Sequence, residues 1–291
     1  MAKVGCLVKC LITGASGQLG RSLTDYFSSK GIETYPLSRN ECDIANEDDV
    51  ARVFLEFAPT IVINAAAWTD VDAAEDFPNE VFRVNAIGAG ILSKYSNKCG
   101  APIFHFSSDM VFSGKSHTPW TESDSTNPIS VYGKSKVAGE ILVKEQSPNS
   151  AYIIRTAWLY GKWGNNFVKK MTRQLESNES EISVVGDQFG QPTYVMDLIE
   201  KIFELIILKP GAGTYHATNS GLASRYEFAR EIARKSGHSP ERIKEINSEG
   251  YSSKAYRPHF SVLAHQSFES YGIRPMRNWR LALASALPNL I

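Results

Sequence analysis

The segment Gly14-Ala15-Ser16-Gly17-Gln18-Leu19-Gly20 constrains this chain most. It follows an apolar, β-rich run from Cys6 to Ile12. It leads into Arg21 to Ser29, where Leu23, Tyr26 and Phe27 recur at helical spacing. Its pattern is G-x-x-G-x-x-G at a strand-to-helix turn. Glycine there lets the backbone turn tightly and approach a pyrophosphate, which then rests on the helix N-terminus. A plain strand-to-helix turn also uses glycine, so the strand–turn–helix context carries the signal.

The pattern continues downstream. Glu33 to Leu37 reads as a strand, and Glu47 to Phe57 as a helix with Val50, Val53, Phe54 and Phe57 on one face. Thr60 to Asn64 is a strand running on into Ala65-Ala66-Ala67. Glu80 to Ser96 reads as a helix and Pro102 to Ser107 as a further strand. Strand and helix in alternation, with continuously apolar strands, predict an α/β fold with a doubly wound parallel sheet of Rossmann type. The second half is less regular. Ala151 to Ile154 is a strand, and Phe167 to Leu175, Met196 to Leu208 and Arg225 to Ser236 are helices. With no low-complexity linker, a smaller, interleaved C-terminal substrate domain is expected. A dinucleotide-binding part would take 1–157 plus about 187–216, and a substrate part about 158–186 plus 217–291.

Composition narrows the partners. The 31 Lys and Arg balance the 31 Asp and Glu, which argues against nucleic acid as a partner because phosphate neutralisation dominates that affinity. No apolar run is long enough for a membrane span, and Lys9 interrupts the N-terminal apolar stretch, so a cytoplasmic chain without a leader is expected. Cys6, Cys10, Cys42 and Cys99 are too few for a disulfide framework and form no metal pattern.

Three further features carry chemistry. The carboxylate that grips an adenosine ribose should close the second strand, but Ser38 and Arg39 stand there. Arg39 would pair with a 2′-phosphate, which favours NADPH; Glu41 and Asp43 lie in the same window and leave NADH possible. Tyr132 and Lys136 are four apart and share a helix face. A lysine beside the phenol would lower its pKa and make Tyr132 a proton donor near neutral pH. Ser107 and Ser108 close a strand at the carboxyl edge of the sheet, where a hydroxyl can hydrogen-bond a substrate carbonyl.

In this order the turn, the serine and the Y-x-x-x-K pair resemble the extended short-chain dehydrogenase/reductase family. The resemblance runs along nearly the whole chain, through Val62–Ala67, Val71–Glu75, Arg83–Ala86, Ser107–Phe112, Val131–Lys136, Arg155–Gly161, Asn166–Val168, Asp187–Thr193 and Arg257-Pro258. The Arg-Thr-x-Trp and Asp-Gln-x-Gly-x-Pro-Thr segments point within it to the branch that reduces dTDP-4-dehydro-L-rhamnose to dTDP-L-rhamnose.

The resemblance implies that Ser108 binds the ketone oxygen, Tyr132 donates the proton, and Lys136 binds the nicotinamide ribose and tunes Tyr132. It implies a cofactor lining of Gly14, Ser16, Gly17, Gln18, Leu19, Gly20, Ser38, Arg39, Asp43, Ile44, Ala65, Ala66, Ala67 and Asn85. Asp109, Met110 and Trp158 would face the sugar, and Asn166, Phe167, Gln188 and Arg257 the nucleotide diphosphate end. The chain departs from the family with Met110 in place of a usual Tyr and Ser113 in place of a usual Asp, which leaves the exact sugar open. Some members hold magnesium at a dimer interface through C-terminal glutamates. Trp279 to Ile291 contains no acidic residue, so a monomer or weak homodimer without bridging metal is expected. Two alternatives stay open: a reductase or epimerase for another nucleotide sugar, and a non-catalytic regulatory subunit of the methionine adenosyltransferase type.

Overall fold

The computed structural model describes residues 8–177, 180–250 and 253–290. The start of the first expected strand, Cys6 and Leu7, lies outside these. From Lys9 the chain alternates: β1 (Lys9–Thr13), α1 (Gln18–Ser29), β2 (Glu33–Leu37), α2 (Glu47–Phe57), β3 (Ile61–Asn64), α3 (Pro78–Phe82), α4 (Ala89–Lys98), β4 (Ile103–Ser108), α5 (Val131–Gln146) and β5 (Ala151–Thr156). Then follow β6 (Leu159–Tyr160), α6 (Phe167–Ser177), β7 (Ile182–Val185), β8 (Phe189–Gly190), β9 (Thr193–Tyr194), α7 (Val195–Leu208), β10 (Gly213–His216), β11 (Asn219–Ser220), β12 (Ala223–Ser224), α8 (Arg225–Lys235), β13 (Ile243–Ile246), α9 (Gln266–Ser270), β14 (Met276–Asn278) and α10 (Trp279–Ala286).

One six-stranded parallel sheet organises the molecule, in the order β10-β5-β4-β3-β1-β2. The chain turns one way from β1 to β2 and the other way to β3, so the strand order reverses beside β1. A crevice opens at such a reversal, outside the carboxyl ends of the strands. The central strands read as unbroken apolar runs because both faces are covered. On one face, Leu23 and Phe27 of α1 and Leu198 and Ile202 of α7 pack on Ile12, Ile63 and Ile154. On the other, Val53 of α2, Leu92 of α4 and Val143 of α5 pack on Leu11, Val62 and Ile153. A third cluster joins α6, α8 and α10 through Leu175, Phe228 and Trp279. The small sheets pair β6 with β9, β7 with β13, β8 with β12 and β11 with β14.

One expected element is corrected. The helix read as Glu80 to Ser96 is α3, then a π-helical turn over Arg83–Gly88, then α4. Apolar periodicity averages over such a bulge and cannot register the extra residue, and bulges of this kind collect at functional sites. Here Asn85 is buried inside it. Its Oδ1 accepts from Trp68 N at 2.8 Å, and its Nδ2 donates to Trp68 O at 3.2 Å and to Ser135 Oγ at 2.9 Å. The bulge thus fastens the loop after β3 to α5. No helix among the described residues is long and apolar enough to cross a membrane.

Candidate active site

A cavity of about 640 Å³ follows the carboxyl edge of β1, β3, β4 and β5. At one end lies the glycine turn. Gly14 has φ +69°, and a Cβ there would meet the carbonyl carbon of Ala65 at 2.6 Å; a Cβ on Gly20 would meet Gly14 O at 2.2 Å. Only glycine fits two such approaches. Ala15 N donates to Leu37 O at 3.0 Å and Ala65 N to Thr13 O at 3.2 Å, which docks the turn onto its neighbouring strands. No side chain caps α1 at Gly17, and its first turn carries no acidic residue. A helix start of this kind suits an anion.

Arg39 lines the cavity just past β2. Both nearby carboxylates have partners. Glu41 accepts from Ser38 N and Oγ, each at 2.7 Å, and Asp43 accepts from Arg83 at 2.8 Å. Ser38 is therefore tied to Glu41 and lies outside the lining.

At the other end, β4 delivers Ser108 and Asp109, and α5 delivers Tyr132 and Lys136. The Ser130 hydroxyl accepts from Gly133 N at 3.1 Å and starts α5 two residues before Tyr132. Lys136 is buried and Lys134, two residues earlier, is exposed, as the helix period requires. The expectation that Lys136 lowers the phenol pKa is overturned. Burial pushes Tyr132 up to about 12; a hydrogen bond with Ser108 acts against the rise and the Asp109 carboxylate adds to it. Lys136 itself is pushed down to about 8 by burial, with Glu140 holding it up. Desolvation leads both shifts, and neither shift draws on the other member of the pair. Asp109 is also raised, chiefly by burial, although it accepts from Ser108 Oγ at 2.9 Å and Ser261 Oγ at 2.5 Å.

The middle of the cavity is framed by Trp158, Gln188, Arg225 and Arg257. Trp158 holds φ +46°, strained for a residue with a large side chain. A Cβ on Gly190 would sit 2.6 Å from its indole, so a glycine is needed beneath it. Arg225 covers the indole, with its guanidinium carbon 3.5 Å from the ring centroid. Arg257 donates to Asp72 at 2.8 Å and to Ala255 O at 2.9 Å.

Of the residues given a catalytic, cofactor or substrate role from sequence, Ser38, Asn85, Asn166 and Phe167 lie outside the lining, and the others line it. Asn166 caps the start of α6 through Lys169 N and donates to Gln18 Oε1 at 2.8 Å, so it braces the glycine turn from behind. Phe167 stacks on Phe228 in the α6–α8 core. Sequence reasoning missed Arg225 and Ser261. Their chain distance from Asp109 hides the juxtaposition, and an amphipathic helix start gave no reason to single out Arg225. Ser107 Oγ and Thr156 Oγ1, also in the lining, are buried with no hydrogen-bond partner among the described residues. Buried hydroxyls of this kind call for a polar ligand. No group of three or more His, Cys, Asp or Glu among the described residues is placed to hold a metal ion.

Residues 8–291 match the RmlD substrate binding domain. The chain is 41% identical over 281 residues to the spore coat polysaccharide biosynthesis protein SpsK of Bacillus subtilis, covering 97% of each. It is 40% identical to dTDP-4-dehydrorhamnose reductase of Streptomyces griseus, covering 96% of this chain and 93% of that one. The crystal structure of dTDP-4-dehydrorhamnose reductase from Bacillus anthracis, in complex with NADP, superposes with a TM-score of 0.93 at 38% identity, over 97% of this chain and 99% of that one.

Proposed function

The chain belongs to the RmlD substrate binding domain family, and from that premise we propose that it is an NADPH-dependent reductase of the C4 ketone of a dTDP-linked 6-deoxy-4-keto sugar, dTDP-4-dehydro-L-rhamnose foremost. One observation carries the reading: Ser108, Tyr132 and Lys136 line the same cavity as the Gly14–Gly20 turn, so a dinucleotide seated on the turn would bring its reactive end to them. The strands from 1–157 and about 187–216 would hold the cofactor, and the remaining segments the sugar nucleotide.

The residues present fit NADPH. The uncapped start of α1 and its close-packed glycines would take the pyrophosphate, Arg39 the 2′-phosphate, and Lys136 the nicotinamide ribose. When bound, NADPH supplies hydride to C4 of the sugar. The Ser108 hydroxyl, which donates to Asp109 at 2.9 Å, would turn that one donor to the ketone oxygen and stabilise the negative charge that grows there. Tyr132 protonates it. A phenol held at about 12 is fully protonated at neutral pH, and an alkoxide is far more basic than a phenolate, so the transfer runs downhill. Lys136, at about 8, then sits close enough to neutrality to return a proton to Tyr132. The trapped geometry supplies much of the remaining acceleration.

The intact Ser108, Tyr132 and Lys136 favour this over a non-catalytic nucleotide-binding subunit. The test is NADPH oxidation by the purified protein with dTDP-4-dehydrorhamnose, beside UDP- and GDP-linked 4-keto sugars. Turnover with the dTDP sugar supports the reading. Binding of nucleotide with no turnover on any of the three would refute it.

A further inference from the structure

Four cations line the cavity: Arg39, Lys136, Arg225 and Arg257. Three have evident work. Arg39 stands at the end of β2, on the cofactor side. Lys136 is beside Tyr132, with Glu140 one turn further along α5. Arg257 is committed to Asp72 at 2.8 Å and to Ala255 O.

Arg225 is different. It is the first residue of α8, held by a complete capping box between Ser224 and Glu227, and its own backbone N–H donates to Gln188 O at 3.2 Å. Its guanidinium lies on the Trp158 indole at 3.5 Å, with the Phe167 ring at 5.5 Å. Among the described residues it has no side-chain hydrogen bond and no carboxylate within 4.0 Å. Asp109, the acid whose charge it feels, is held by two serine hydroxyls instead. Burial lowers Arg225 to about 10, which leaves it charged at neutral pH. A charged guanidinium lining the cavity, with five donors and no protein acceptor among the described residues, is free to receive an anionic ligand.

We propose that Arg225 grips the diphosphate of the sugar nucleotide and thereby selects diphosphate-linked substrates. The inference rests on the reductase reading above. In that reading the diphosphate is the one anionic group that the substrate brings, and it needs a cation on the sugar side of the cavity. Contact with the Trp158 ring at 3.5 Å holds the guanidinium in the cavity lining, where its N–H donors have no protein acceptor among the described residues. A planar fork held in place matches two phosphate oxygens better than a mobile ammonium does. Trp158 then acts through Arg225, by orienting it, as well as by walling the cavity.

Calorimetric titration of dTDP and of thymidine into the parent protein, Arg225→Met and Arg225→Lys tests this. Arg225→Met keeps length and loses charge. It should lose dTDP affinity by about tenfold or more, the range expected for a charge-assisted pair. Thymidine and NADP affinities should stay at parent values, and the salt dependence of dTDP binding should flatten. Arg225→Lys should restore only part of the loss, because it keeps the charge without the fork. If Arg225→Met fails to fold, Arg225→Gln carries the same readout. Parallel losses for dTDP and thymidine would mean that Arg225 only props Trp158 and would overturn the proposal, as would unchanged dTDP affinity. A parent protein that binds none of dTDP, UDP and GDP also overturns it. A parent protein that binds dTDP in an Arg225-dependent way yet reduces no 4-keto sugar sinks the reductase reading alone and leaves the diphosphate site standing.

Discussion

Ser261 Oγ donates to Asp109 Oδ2 at 2.5 Å, across 152 residues of chain, and joins the loop after β4 to the C-terminal segment. The bond makes Asp109 acceptable in the interior without making its ionisation favourable; burial still raises its pKa above the ordinary carboxylate value. A carboxyl with a raised folded-state pKa binds more protons folded than unfolded. Its contribution to stability is therefore present at low pH and lost as pH rises from the unfolded value through the folded one. Asp109→Asn removes that term. Urea midpoints measured between pH 4 and pH 7 should fall less steeply for Asp109→Asn than for the parent. Parallel slopes would contradict the assignment.

Arg39 sets cofactor choice in this account. Glu41 and Asp43 are occupied by Ser38 and Arg83, so neither carboxylate turns toward a 2′-phosphate without breaking a bond of 2.7–2.8 Å. Arg39→Ala should weaken NADPH binding about tenfold, since an exposed charge-assisted pair is worth about 1.5 kcal/mol. NADH binding should change little. Equal losses for both cofactors, by fluorescence titration, would count against this role.

Gly190 supports Trp158 from β8. A methyl there would lie 2.6–2.9 Å from three indole atoms. Gly190→Ala should therefore displace the ring and raise KM for the nucleotide sugar several-fold, with NADPH affinity preserved. An unchanged KM would remove Trp158 from the substrate wall.

Glu140 and Arg155 form a buried ion pair with bonds of 2.9 and 2.7 Å, one turn below Lys136. Arg155→Met leaves the buried Glu140 carboxylate without its hydrogen-bonded partner and should cost about 3–5 kcal/mol in urea unfolding. Adding Glu140→Met should recover a large part of that loss. A double variant no more stable than the single one would show that the pair is not an isolated electrostatic unit.

How much of this was legible in the sequence varies with the kind of interaction. Glu33–Leu37 and Glu47–Phe57 are found residue for residue, because turn residues and a clear apolar period bound them. The glycine turn was legible for the same reason: few other residues tolerate that backbone. The π-turn at Arg83–Gly88 was not, since it shifts the register without changing the apolar residues. The face shared by Tyr132 and Lys136 follows from helix geometry. The direction of their pKa shifts does not, because it depends on desolvation by the whole fold. Arg225 stayed hidden because its partner Trp158 lies 67 positions away and the contact is stacking, which leaves no motif.

The central claim is that Tyr132 delivers the proton and Lys136 keeps it supplied. Single-turnover and steady-state reduction of dTDP-4-dehydrorhamnose, with NADPH affinity measured in parallel, test it on Tyr132→Phe, Lys136→Met and Lys134→Met. Tyr132→Phe keeps the ring and should bind NADPH normally while turnover falls by about 10²–10⁴-fold. Lys136→Met should bind NADPH more weakly, and its steady-state turnover should fall at least as far, because Tyr132 is no longer reloaded. Lys134→Met, exposed and off the shared face, should match the parent. In the parent, steady-state turnover should decline above about pH 8 as Lys136 loses its proton and no longer reloads Tyr132. Reduction by Tyr132→Phe at the parent rate, or a larger loss in Lys134→Met than in Lys136→Met, would contradict the account.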